Sequence, residues 1–186
     1  MENTADHLKS LLDLDYFSLF AIDPTFDIDQ DTLKSKYIEL QKKFHPDNFI
    51  DINILERVEH TNLKSFFSIL SAHINSGYNT LKNPLFRGLL LLKHNKISCD
   101  LSTNSELPKD FLLQQMEFHD NIQHAKETNN IVALELLEND LIKLEQDLFL
   151  KLKQMFANKD YLNACKHIKQ LNFYGRLKNT ISDLLI

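Results

Sequence analysis

Apolar residues in the first half of the chain recur at the three- and four-residue spacing of amphipathic helices. Prolines and short polar cap residues divide this pattern, because proline cannot continue a helix and a cap side chain accepts the first unpaired backbone N–H groups. The pattern predicts helices over residues 16–21, 30–44, 54–81 and 84–94. The predicted N-caps of three of them are Asp15, Asp29 and Asn83.

The second half of the chain predicts three longer helices. The first begins at Pro108 and ends near Asn129, and the last follows Asp160 as its cap and ends near Leu185. The helix between them carries an apolar seam at three- and four-residue spacing. Its members are Leu134, Leu137, Leu141, Leu144, Leu148, Leu152 and Met155. Short connections between the helices predict an antiparallel three-helix bundle.

Composition supports an all-α protein of two domains. The chain has 33 Leu and 15 Ile but only 2 Val and 3 Gly among 186 residues, a balance that disfavours sheets and their turns. The most polar and least periodic interval, residues 95–106, is the predicted linker between a domain over 1–94 and a bundle over 107–186. No apolar run approaches the roughly 20 residues that span a bilayer, and the acidic N-terminus lacks a signal-like apolar core. A cytoplasmic location is expected.

Charge and cysteine content predict neither nucleic-acid binding nor a metal or cofactor. The net charge of −5 is the opposite of the basic footprint that nucleic acid attracts. The two cysteines, Cys99 and Cys165, form no CxxC pair. A disulfide between them is one alternative, but we expect two reduced thiols in a cytosolic chain.

The tripeptide His45-Pro46-Asp47 directly follows a predicted helix rich in lysine. An enzyme could use His45 and Asp47 as an acid–base pair, yet no nucleophile, metal-ligand set or glycine-rich phosphate loop accompanies them. On a helical wheel, Lys34 and Lys42 point away from the apolar face. These lysines form either a surface for a partner or an ordinary solvated face.

Three stretches together resemble a J-domain, the module that stimulates ATP hydrolysis by DnaK-type chaperones. They are Asp15-Tyr16-Phe17-Ser18-Leu19-Phe20, Tyr37-x-x-Leu40 with Phe44-His45-Pro46-Asp47, and Ile74-Asn75-x-x-Tyr78-x-x-Leu81-x-x-Pro84. The resemblance implies that the tripeptide is required for stimulation and that Lys34 and Lys42 dock the chaperone. The chain departs from the family at Asn48, where a basic residue is usual, and in residues 50–73, which are about two helical turns longer.

The chain lacks the Gly/Phe-rich linker and the cysteine-rich module of general J-proteins. It is instead similar to HscB-type co-chaperones, which deliver an IscU-type iron–sulfur scaffold protein to a specialised HscA-type chaperone and stimulate its ATPase. The matching stretches include Asn83-Pro84-Leu85-x-Arg87, Phe111-Leu112-Leu113-x-x-Met116-Glu117 and Leu171-x-Phe173-x-x-Arg176-Leu177. The resemblance implies a non-enzymatic protein, and the alternative is a J-domain adaptor for a different client.

The helix that begins at Pro108 carries a second apolar stripe. Its core face is predicted to hold Phe111, Phe118, Ile122 and Ala125. Leu112, Leu113 and Met116, with Glu117 and Asp120, fall on the opposite arc, and Phe173 lies off the seam of its own helix. An outer apolar stripe edged by acids indicates a binding site, or else packing against the first domain. The family resemblance makes these residues the scaffold-binding site, with His124 where another acid is usual.

Overall fold

A computed structural model describes residues 10–45, 60–103 and 107–185, and every regular element in these ranges is a helix. The helices are α1 (Tyr16–Leu19), α2 (Gln30–Phe44), α3 (His60–Lys82), α4 (Pro84–His94), α5 (Lys109–Glu127), α6 (Ile131–Ala157) and α7 (Tyr161–Leu184). This architecture confirms the predicted all-α class. Residues 54–59 of the predicted third helix lie outside the described ranges.

The predicted caps are all present. Asp15, Asp29, Asn83 and Asp160 each accept a hydrogen bond from backbone N–H groups of the following turn. α2 begins and ends as predicted, whereas α1 and α5 end two residues early, because Ala21 and Asn129 adopt left-handed backbone conformations with φ of 49° and 48°. A left-handed residue ends the i to i−4 ladder of a helix.

The chain folds as two compact units, Met1–Arg87 and Gly88–Ile186. In the first unit α2 and α3 pair, and α1 packs on α3 at Gly77. A Cβ atom on Gly77 would stand 2.9 Å from both the Phe20 and the Tyr16 ring, so the approach of α1 requires glycine. The core consists of buried apolar side chains, among them Phe17, Phe20, Phe26, Leu33, Leu70, Ile74 and Leu81.

Arg87 is buried to 1% exposure and holds several chain segments of the first unit together. Its Nε donates to the Phe26 carbonyl at 2.7 Å, and Nη1 donates to the carbonyls of Leu81 and Lys82. Burial lowers the pKa of Arg87 to about 10, while Asp27 acts in the opposite direction. At neutral pH the guanidinium therefore remains charged and donates to carbonyls from two segments of the chain.

The second unit contains the three-helix bundle of α5, α6 and α7. Its core combines four leucines of α6 with an aromatic cluster in which Phe111 and Phe118 meet the ring of Tyr174 edge-on. All four predicted core residues of α5 are buried: Phe111, Phe118, Ile122 and Ala125. None of the helices in the described part of the chain is long and apolar enough to cross a bilayer.

The prediction that Cys99 and Cys165 are reduced thiols is wrong, because the structure joins them in a disulfide. The segment before α5 runs beside α7, which brings the two Cα atoms to 5.6 Å despite 66 residues between them in sequence. One turn further along α7, Lys169 Nζ donates to Thr103 Oγ1 at 3.1 Å. The prediction relied on the usual redox state of cytosolic thiols and could not anticipate this proximity.

Candidate functional site

The lysine face of α2 (the α2 face), defined by Lys34 and Lys42, points outward as the helical wheel predicts. Leu33 and Phe44 on the opposite face are 0% and 5% exposed, whereas both lysines are exposed. The predicted docking lysines therefore lie one behind the other, about two helical turns apart, on an accessible surface.

His45 stands at the C-terminal end of this face. Its backbone N–H donates to the Gln41 carbonyl at 2.8 Å, which closes α2, and its side chain is exposed. Its extended backbone, with φ −68° and ψ 132°, is the conformation that a following proline favours. Pro46, Asp47 and Asn48, the remaining predicted residues of this loop, lie outside the described residues.

Ile38 is an apolar member of the same face that sequence reasoning missed. It is 42% exposed and lies four residues from Lys34 on one side and from Lys42 on the other. The i±4 spacing places all three on one stripe of α2. The signal is present in the sequence, as an isoleucine midway between two lysines of the predicted helix.

A polar cluster beneath α2 fixes the rotation of the helix about its axis. Asn75 Oδ1 accepts from Tyr37 Oη at 2.9 Å and from Gln41 Nε2 at 2.8 Å. Ser71 Oγ donates to Gln41 Oε1 at 3.2 Å, and the rings of Tyr37 and Tyr78 stack at 4.2 Å. Through these contacts, Tyr37, Asn75 and Tyr78 orient α2 so that the lysine face points outward.

On the outer side of α5 the structure exposes two large apolar side chains. Leu113 is 59% exposed and Met116 is 63% exposed, while Leu112 beside them is half-buried. Glu117, Asp120 and His124 are exposed along the same helix. The α5 face, defined as Leu112, Leu113, Met116, Glu117 and Asp120, thus combines apolar side chains with a carboxylate rim.

Phe173 of α7 packs against α5 from the neighbouring helix. Its ring lies 5.6 Å from that of Phe111 and 5.8 Å from that of His119, both edge-on, and the side chain remains half-buried. Beneath it, Tyr174 is 4% exposed and donates from Oη to Gln114 Oε1 at 2.8 Å. Burial raises the pKa of Tyr174 to about 12. The neutral phenol is therefore part of the support for α5 throughout the physiological range.

The predicted scaffold-binding residues divide between two sides of α5. Leu113 and Glu117 line a groove of about 550 Å³ together with Leu144, Asp147 and Lys151 of α6. Phe173 lies on the α7 side, beside His119. The predicted set is thus a ridge bordered on one side by a groove rather than a single flat patch.

Metal-ligating side chains do not assemble in the parts of the chain that the structure describes. Across residues 10–45, 60–103 and 107–185, no three His, Cys, Asp or Glu side chains come together as a possible metal site. The lysine face of α2 presents ammonium groups, and the α5 face presents apolar side chains and carboxylates.

Comparisons with known proteins give consistent matches. Residues 107–182 match a family model described as the HSCB C-terminal oligomerisation domain. A protein of Neisseria meningitidis named co-chaperone protein HscB homolog is 36% identical over 170 residues, covering 91% of this chain and 98% of its own length. A protein of the same name from Shewanella denitrificans is 32% identical, covering 92% and 97%.

Solved structures agree in fold. The crystal structure of human co-chaperone HscB superposes with a TM-score of 0.80 at 27% identity, covering 91% of this chain and 81% of the human one. Chaperone HscB from Vibrio cholerae superposes with a TM-score of 0.75 at 27% identity, covering 91% and 96%. The likeness extends over the first unit as well as the bundle.

Proposed function

Since the chain belongs to the HscB family of co-chaperones, as its motifs predicted, we propose that it brings an IscU-type iron–sulfur scaffold protein to an HscA-type chaperone and stimulates the ATPase of that chaperone. The observation that carries this proposal is the presence of two exposed faces of different chemistry in one chain. The α2 face is cationic and ends at His45, and the α5 face is apolar and acid-rimmed.

In this proposal the domain over residues 1–94 docks on the ATP-bound chaperone. Lys34 and Lys42 attract an acidic surface and Ile38 supplies apolar contact between them, while His45-Pro46-Asp47 triggers hydrolysis. Charged side chains on an exposed face accelerate encounter and orient the partner more than they add affinity. The α2 face therefore suits a contact that forms and dissolves in each ATPase cycle.

The bundle over residues 107–186 holds the scaffold on Leu112, Leu113, Met116 and Phe173, with Glu117 and Asp120 as the electrostatic rim. Exposed apolar side chains release ordered water when a partner covers them, and this release is the main source of affinity at such a surface. The structure supports this assignment through the exposure of Leu113 and Met116.

The chain acts by bringing two proteins together. Binding both partners raises the effective concentration of scaffold at the chaperone, so that ATP hydrolysis traps a client already in place. The nucleotide and its hydrolysis belong to the chaperone, and this chain contributes contacts and no catalytic group. Its place of action is the cytoplasm.

The decisive experiment measures the ATPase rate of the HscA-type chaperone with this protein alone, with scaffold alone and with both. We expect the combined stimulation to exceed the product of the two separate effects. Stimulation without synergy would favour a J-domain adaptor for a different client. Absence of scaffold binding in a direct titration would confirm that alternative. Absence of any stimulation would contradict the proposal.

A further inference from the structure

The disulfide between Cys99 and Cys165 ties a non-helical segment to a helix of the bundle. Cys99 lies in residues 95–103 between α4 and α5, named here the clamp segment, and Cys165 lies in the second turn of α7. Cys99 is half-buried, whereas Cys165 is 6% exposed. A reagent in solution therefore reaches the Cys99 sulfur more readily than the Cys165 sulfur.

Contacts other than the disulfide also hold the clamp segment in place. Near its start, the Ile97 N–H donates to the Leu92 carbonyl at 2.9 Å. At its end, Lys169 Nζ donates to Thr103 Oγ1 at 3.1 Å, one turn beyond Cys165 on α7. These hydrogen bonds flank Cys99 in the sequence and limit its movement when the bond between the sulfur atoms is broken. The two cysteines therefore stay close enough for the disulfide to form again.

Lys169 supplies a positive charge beside the cysteine pair. Its side chain is 6% exposed, so the ammonium group is held between α7 and the clamp segment rather than in bulk solvent. Hydrogen bonds from Ser102 lower the pKa of the Asp100 carboxyl, and the charge of Lys169 contributes in the same direction. The ammonium thus acts on the residue that directly follows Cys99. A nearby cation favours the thiolate, which is the form of cysteine that exchanges disulfides.

We propose that Cys99 and Cys165 form a reversible redox site, which exchanges with low-molecular-weight thiols and disulfides of the glutathione class and clamps residues 95–103 to α7 when it is oxidised. Glutathione keeps most thiols of the cytoplasm reduced, and a disulfide formed there is usually transient or redox-sensing. An accessible sulfur is the mark of a labile disulfide rather than a structural one. Cys99 meets this condition.

Oxidation proceeds in two exchange steps, with Cys99 as the attacking thiol. The Cys99 thiolate attacks one sulfur of glutathione disulfide, whose S–S bond breaks as one glutathione thiolate leaves. The Cys165 thiolate then attacks the Cys99 sulfur and releases the second glutathione. The two departing thiolates take up the two protons that the cysteines lose. Two cysteine thiols are thus oxidised to one disulfide, while one glutathione disulfide is reduced to two thiols.

The clamp segment leads into α5, which begins at Lys109, six residues after Thr103. The N-cap of α5, Pro108, makes no side-chain cap hydrogen bond, and Leu107 before it is 7% exposed. The first turn of α5 therefore relies on the packing of the residues before it, and Leu112 and Leu113 lie at this end of the helix. Regulation at this point rests on the proposed function, in which the α5 face binds the scaffold. The oxidised form holds this end of α5 more firmly and binds the scaffold about fivefold more tightly.

Thiol trapping of the full chain in glutathione mixtures tests the redox site. After equilibration, a maleimide label of known mass counts the free thiols, and mass spectrometry distinguishes the disulfide from bound glutathione. We expect two free thiols in about 10 mM reduced glutathione and an internal disulfide in about 1 mM glutathione disulfide. A disulfide that persists in reduced glutathione would be structural and would overturn the proposal. Thiols that stay free in glutathione disulfide would overturn it as well.

Single-cysteine variants test the order of attack. Cys165→Ser should take up one glutathione at Cys99, whereas Cys99→Ser should react at least about tenfold more slowly, because Cys165 is buried. Both variants should react at similar rates in urea, which is the matched control. Peptide mapping of the reduced wild type at early times gives the same assignment without a substitution. Faster reaction at Cys165 in the folded chain would overturn the role of Cys99.

Scaffold titration and hydrogen exchange test the regulation. We expect the oxidised wild type to bind scaffold about fivefold more tightly than Cys99→Ser, which represents the reduced form without added reductant. Exchange in residues 107–113 should be slower in the oxidised form. Equal affinity and equal exchange in both forms would overturn the regulation. A scaffold that binds neither form would contradict the proposed function instead, and the difference in exchange would still decide whether the clamp acts on α5.

Discussion

The α2 face and the α5 face are both outward sides of helices whose inner sides are buried, yet they differ in chemistry. Along α2 the exposed stripe is lysine, isoleucine and lysine, with Ile38 at 42% exposure. On the α5 face, Leu113 and Met116 are 59% and 63% exposed, and carboxylates follow them. The first combination favours fast, salt-sensitive encounter, and the second favours affinity through water release.

The two faces are also supported differently. Hydrogen bonds from Tyr37 and Gln41 to Asn75 hold α2, whereas edge-on aromatic contacts around Phe111 and Tyr174 hold α5. Both kinds of support fix the rotation of the helix, so each face is organised before its partner arrives. Because the two faces lie on different helices, substitutions can disable them one at a time.

The largest expected effect is that of His45→Gln on the chaperone. Stimulation of the chaperone ATPase should be lost almost completely, while affinity for the scaffold should stay at the wild-type value. The His45 side chain is exposed beyond the last turn of α2, so the substitution removes no core contact. Single-turnover ATP hydrolysis and scaffold titration on the same preparation provide the two measurements. An accompanying loss of scaffold affinity would contradict the proposal that the chaperone and the scaffold bind separate faces.

Leu112→Ala combined with Met116→Ala should have the converse effect: weaker scaffold binding with intact stimulation of the chaperone. Removing this apolar area should cost about 2–3 kcal/mol of binding free energy, a scaffold affinity roughly 30 to 150 times weaker. Stimulation of the chaperone without scaffold should be unchanged. Calorimetric titration measures the affinity.

The control for that variant is Leu162→Ala, which removes an exposed leucine of the same bundle outside the α5 face. It should bind scaffold as the wild type does. An equal loss of scaffold affinity in the control would mean that any exposed apolar side chain of the bundle contributes to binding. The α5 face would then not be the specific binding site.

Local rules predicted much of this structure. The caps, the bounds of α2 and the core face of α5 follow from short-range spacing, and they are confirmed. The role of Gly77 escapes local rules, because it depends on the Phe20 and Tyr16 rings that are distant in sequence. The disulfide was missed for the same reason, since its two cysteines are 66 residues apart. The site roles rest on family resemblance and stay predictions.

Glycine offers a further comparison of the two units. Gly77→Ala should destabilise the first unit by about 1–2 kcal/mol, because the new Cβ would meet two aromatic rings at 2.9 Å and the cost of overpacking exceeds the gain in helix propensity. Gly175→Ala is the matched change in α7, where the nearest atom is Glu145 Oε1 at 4.0 Å. It should be neutral or stabilise the bundle by up to about 1 kcal/mol.

Hydrogen exchange resolved along the chain separates these two glycine effects. Faster exchange confined to α1 and α3 is expected for Gly77→Ala, with α5 to α7 at wild-type protection. Slower or unchanged exchange in the bundle is expected for Gly175→Ala. Wild-type protection of α1 in the first variant would mean that the close approach at Gly77 is not needed.

The smallest expected effect concerns the lysines of α2. Lys34→Gln with Lys42→Gln should raise the concentration needed for half-maximal ATPase stimulation about fivefold at low salt, since exposed charges contribute about 0.2–1 kcal/mol each. Between about 50 mM and about 300 mM salt, the half-maximal concentration of the wild type should approach that of the variant. Salt screens the same electrostatic attraction that the substitution removes. Lys36→Gln is the control, because Lys36 lies on α2 but outside the stripe of Lys34, Ile38 and Lys42. The Nζ atom of Lys36 is 3.7 Å from Oε2 of Glu39. A wild type insensitive to salt would mean that apolar contact dominates on α2 as well, and the contrast with α5 would disappear.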